Sequence, residues 1–86
     1  MKTNEFIETI ADAGFEVINN HSNLHIRNKV GHVNYLVAKV SKGHPGSIHT
    51  NTEGFERLPL GTKEFLVENI VNFSMTPLAE RDSDEE

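Results

Sequence analysis

The chain has 86 residues, 36% of them hydrophobic and 24% charged, with a net charge of -5 and no cysteine. That composition excludes disulfides, thiolate metal sites and cysteine nucleophiles, offers no apolar run long enough to span a membrane, and supplies one modest core without a deep cleft between lobes. Residues 17–52 hold no Asp or Glu but contain Arg27, Lys29, Lys39, Lys42 and all five histidines (His21, His25, His32, His44, His49), so that stretch carries +4 and the flanks, with four cations and thirteen acids, carry -9.

Taken in chain order, Thr3 is placed to N-cap a helix over residues 4–13, where Phe6, Ile7, Ile10, Ala11 and Ala13 recur at three- and four-residue spacing. Glu5, Glu8 and Asp12 occupy the opposite side, interrupting any secretory apolar run, and Gly14 is suited to the C′ position. Short β-type runs follow at 15–19 and 24–27, separated by Asn20-His21-Ser22-Asn23 and closed by Asn28-Lys29-Val30-Gly31. Residues 33–41 are the longest β-favourable run and, apolar on both sides, are expected to be the central strand. Lys42-Gly43-His44-Pro45-Gly46 turns the chain into a short fourth strand at 47–50. A second helix is expected from Pro59 or Thr62 to about residue 74, with Leu66, Ile70 and Phe73 at helical spacing, Phe65 and Val71 beside them, and Pro77 ending it. Thr76-Pro77-Leu78-Ala79 has the makings of one more turn, whereas residues 80–86 lack an apolar anchor and are expected to be a disordered acidic tail.

The expected class is α+β: helix, four-stranded antiparallel meander, helix, in a single domain over residues 1–79 with both helices on one face of the sheet. Pairing Val17 with Ile26, Leu24 with Leu36 and Val40 with Ile48 turns Phe15, Val17, Leu24, Ile26, Leu36, Ala38, Val40 and Ile48 toward the helices. The same register leaves Glu16, Ile18, His25, Arg27, Val33, Tyr35, Val37, Lys39 and His49 on the open side, with Glu16 opposite Arg27 and Lys39 opposite His49. Ile18, Tyr35 and Val37 then make a small apolar centre ringed by His25, Arg27, Lys39 and His49, the make-up of a contact surface. These seven are the candidate binding residues.

Other chemistry is poorly supported by spacing. His21 and His25 fall in a turn and a strand, where a separation of four does not bring side chains to one face, and no carboxylate accompanies His25 and His49. Ser22, Ser41, Ser47 and Ser74 lack a nucleophile-elbow context, and Gly43 and Gly46 flank Pro45 with no helix to follow, so neither a catalytic residue nor a phosphate loop is expected. No cofactor and no metal is expected.

Several segments, in order, resemble a set of small uncharacterised proteins encoded by phages and prophages of Gram-positive bacteria. They are Lys2-Thr3-Asn4-Glu5-Phe6-Ile7, Gly14-Phe15-Glu16-Val17, Val37-Ala38-Lys39-Val40-Ser41, Ser47-Ile48-His49-Thr50-Asn51, Gly54-Phe55 with Leu58-Pro59, and Thr76-Pro77-Leu78-Ala79-Glu80-Arg81. The resemblance implies a small phage protein in the cytoplasm of a bacterial host and supplies no activity, ligand or catalytic residue; the histidine-rich stretch from His21 to His32 departs from that set. The resulting expectation is a non-enzymatic accessory or regulatory module that binds a protein partner or associates with itself through the open sheet face. A nucleic-acid-binding module using the basic segment 17–52 is the first alternative. An acidic mimic of nucleic acid, using Glu5, Glu8, Asp12, Glu64, Glu68 and the tail, is the second.

Overall fold

The computed structural model describes residues 1–44 and 46–77. The expected tail at 80–86 and all but the start of the expected turn at 76–79 lie outside the described residues. In chain order the elements are α1 (Thr3–Asp12), β1 (Glu16–Asn19), β2 (Asn23–Val30), β3 (Val33–Ser41), β4 (Ile48–His49), α2 (Glu53–Glu56) and α3 (Leu60–Ser74). The strands form one antiparallel sheet in the order β1-β2-β3-β4, the expected meander.

Helix α1 starts one residue earlier than its sequence suggests: Thr3 is the first helical residue and is buried, while the Glu5 carboxylate accepts the Lys2 N–H at 2.9 Å. Its other end closes as anticipated. Gly14 takes φ +100°, the Gly14 N–H reaches the Ala11 carbonyl at 2.9 Å and the Phe15 N–H the Ile10 carbonyl at 3.4 Å, the reciprocal pair of a Schellman motif. That reversal drops Phe15 against the core and starts β1.

Phe6 and Ile10 of α1, Leu24 and Ile26 of β2, Val37, Ala38 and Val40 of β3, Leu58, and Leu66, Ile70 and Phe73 of α3 form one buried cluster. The Phe6 and Phe73 rings stack with centroids 4.7 Å apart. Both long helices therefore spend their buried stripes on the same side of the sheet. Each such side chain contributes roughly 1.5–3 kcal/mol on burial, more than a helix of ten residues gains from propensity, so it is packing against α3 and the sheet that makes α1 stable.

Strand β2 runs three residues past its expected end. The β2–β3 hairpin turns at Gly31 and His32, with Gly31 at φ +63°, so Asn28, Lys29 and Val30 pair with Tyr35, Asn34 and Val33 instead of forming the turn. The two halves of the hairpin are out of step by one residue: Ile26 faces Ala38, but Arg27 faces Leu36, and Val37 is the extra residue of a bulge. Expected pairings Val17 with Ile26 and Val40 with Ile48 are found; Leu24 pairs with Val40, not with Leu36.

Strand β4 has only two residues, which leaves most of the outer edge of β3 without a strand partner. Helix α2, which sequence periodicity did not suggest, covers that edge. Thr52 donates its hydroxyl to the Val37 carbonyl at 2.7 Å and accepts the Phe55 N–H at 3.0 Å, capping α2 while satisfying the bulge. Gly54 then lies so close to β3 that a Cβ there would overlap the Leu36 carbonyl oxygen.

Candidate binding face

The side of the sheet away from the helices is organised in cross-strand rows, because paired residues on neighbouring strands point the same way. One row crosses all four strands: Ile18, His25, Lys39 and His49. The next holds Glu16, Arg27 and Leu36, and Lys29 with Asn34 lies beyond it toward the hairpin tip. On the other flank of the four-residue row, Asn23 faces Ser41, whose N–H bonds the Ser47 carbonyl at 3.0 Å.

Five of the seven expected residues, Ile18, His25, Arg27, Lys39 and His49, are thus brought together. Tyr35 and Val37 are not, and the bulge is the reason. Beyond Val37 the register shifts by one, which exchanges the two faces for residues 33–36. Val37 is fully buried in the core. Tyr35 turns to the helix side, where the Arg57 guanidinium sits 4.8 Å from its ring centre. Val33 follows Tyr35 in parity, and Leu36, expected in the core, comes to the open side next to Arg27. The apolar centre of the face is therefore Ile18 and Leu36, both half-buried.

Arg27 and Lys39 are half-buried and neither takes part in an ion pair among the described residues. Glu16, paired in register with Arg27, instead accepts a hydrogen bond from the Asn34 amide at 3.2 Å. Burial, and then the charges of Lys39 and Arg27, hold the His25 imidazole below its ordinary pKa. Lys42 is occupied at the sheet's end, bonding Asn19 Oδ1 at 2.7 Å and the Asn20 carbonyl at 3.1 Å. Where the rows end near the β3–β4 turn, the face dips into a depression of about 400 Å³ lined by Asn23, Lys39, Ser41, Ser47, Ile48 and His49.

Lys39 stands between His25 and His49 in the row, and among the described residues no three His, Cys, Asp or Glu side chains gather as metal ligands. Ser41 Oγ lies 3.4 Å from His44 Nδ1, but it also accepts the N–H groups of Gly43 at 3.3 Å and His44 at 3.1 Å, which makes it a turn cap.

A second exposed feature escaped sequence analysis. Helix α3 is apolar on two sides: Leu66, Ile70 and Phe73 are buried, while Leu60, Val67, Val71 and Met75, 71%, 42%, 44% and 64% exposed, form a stripe facing outward. Their spacing was visible, but a helix apolar on two sides hides which of them meets the sheet. No family model, no curated protein and no solved structure matches this chain.

Proposed function

We propose that the chain is a non-enzymatic binding module that docks an acidic segment of a protein partner on the bare face of its sheet. In this reading it is an accessory or regulatory protein of phage or prophage origin acting in the bacterial cytoplasm. The observation that carries it is the pair Arg27 and Lys39: two half-buried cations without an ion-pair partner among the described residues, set around the apolar residues Ile18 and Leu36. A carboxylate brought to a partly desolvated cation is worth about 1.5–3 kcal/mol, against at most about 1 kcal/mol for an exposed surface pair.

The same charges disfavour the other occupants. A second copy laid face to face would bring together two faces that are each predominantly positive, so a homodimer through this face is the weaker option. Single-stranded nucleic acid calls for aromatic platforms, and the sole tyrosine lies on the helix side beneath Arg57.

The test is affinity capture from infected or lysogenic cells with the wild-type chain, with Arg27→Glu/Lys39→Glu, and with Val67→Lys/Val71→Lys. The partner is expected to be retained by the wild type and by the α3 variant and lost by the charge-reversed one. A charge-reversed protein that folds normally and still captures the same partner rejects the reading. Capture of nucleic acid that is lost steeply with salt moves the assignment to the first alternative.

A further inference from the structure

We infer that the depression at the β3–β4 end of the bare face is a binding site for a phosphate group. The inference rests on the docking role of that face and names what its end accepts. Four of the residues lining it, from β2, β3, β4 and the turn before β4, carry hydrogen-bond donors: the Asn23 amide, which also donates to Ser22 Oγ at 3.3 Å, the Lys39 ammonium, the His49 imidazole and the Ser47 hydroxyl. A planar carboxylate has two oxygens for such a set, whereas a phosphate monoester offers three terminal oxygens in a tetrahedron and two charges. The volume of about 400 Å³ admits the group together with the residue or water that accompanies it.

The electrostatics agree with the donor chemistry. Lys39 has no ion-pair partner among the described residues, and Glu16, the carboxylate that shares this face, lies one row away in the direction of the hairpin tip, held by Asn34. Burial first, and then the charges of Lys39, its cross-strand neighbour in the row, and of Arg27, lower the pKa of His25. A dianion seated beside Lys39 opposes those charges and lets His25 take up a proton more readily.

Two sources supply this chemistry, a phosphorylated side chain of the partner and a free phosphate. NMR titration of the full chain at low salt separates them, using inorganic phosphate, a phosphoserine peptide, the same peptide with glutamate, and acetate. Phosphate is expected to saturate at about millimolar concentration, to shift the amides of Asn23, Lys39, Ser47 and His49 selectively, and to raise the pKa of His25. The phosphoserine peptide binds more tightly than inorganic phosphate if the source is a partner side chain, and no more tightly if the source is free phosphate. Lys39→Gln should weaken phosphate roughly tenfold, and Lys29→Gln, at the hairpin tip, should not. Shifts spread over every basic residue, equal loss with Lys29→Gln, or acetate binding as well as phosphate would overturn the assignment. If phosphate fails while Arg27→Glu/Lys39→Glu still abolishes partner capture, the pocket is rejected and the docking face stands; if the double variant captures normally, the docking face goes too.

Discussion

The two sides of the sheet come from the same strands and obey opposite rules. On the covered side Leu24, Ile26, Val37, Ala38 and Val40 are fully buried and meet two helices. On the bare side the row Ile18, His25, Lys39 and His49 and its neighbour Arg27 hold charge without a counter-ion among the described residues. The difference separates stability from recognition: substitutions on one side should unfold the chain and leave the intact fraction's binding alone, and those on the other should do the reverse.

The harshest test of that separation is Ala38→Lys, which places a charge in the core between Ile26 and the helices. It is expected to leave no folded protein by circular dichroism. Phe73→Ala removes the ring stacked on Phe6 and should cost about 3–5 kcal/mol in urea denaturation, with partner capture by the folded fraction unchanged. Gly54→Ala comes next. The new methyl overlaps the Leu36 carbonyl oxygen, so α2 must move from the β3 edge, at about 1–3 kcal/mol and with faster amide exchange at Val37 and Leu36. Leu36→Lys isolates the bulge. If the register shifts at Val37 the new charge points to solvent and costs about 1 kcal/mol or less, whereas in an unbroken register it would be buried and as damaging as Ala38→Lys.

The smallest effect is the pH dependence carried by His25. Its pKa in the folded chain lies below the unfolded value of 6.5, so the unfolded chain binds the proton more readily. Stability is therefore full above that value and falls as pH drops through 6.5 toward the folded pKa. His25→Gln should flatten this part of the profile, while the groups facing the imidazole, Lys39 and Arg27 among them, remain in place.

Much of this contrast was legible in the residues. Acids confined to the flanks, the spacing of Phe6 and Ile10, Gly14 after the first helix and the alternation around Val17, Ile26 and Val40 specify the meander and both long helices. The alternation also places Ile18, His25, Arg27, Lys39 and His49 together, since any even shift in pairing keeps them on one side. What failed was parity beyond Val37. A bulge adds one residue without leaving a composition signal, and Tyr-Leu-Val satisfies either phase, so Tyr35 and Leu36 exchange places without contradicting any local preference. Helix α2 was illegible for a different reason: four residues are too few for a period, and its stability comes from Thr52 and from the strand edge it covers. The outward stripe of α3 was hidden because Val67 and Val71 are as apolar as the residues that point inward.

The lid formed by Thr52 and Gly54 bears on how this chain behaves in crowded solution. An antiparallel layer grows by recruiting another strand to an unsatisfied rim, the first step toward fibrils. With the Val37 carbonyl engaged by a threonine hydroxyl and the neighbouring backbone shielded by a glycine, recruitment along that stretch is blocked. The opposite rim, strand β1, offers four residues and begins with a negative charge at Glu16.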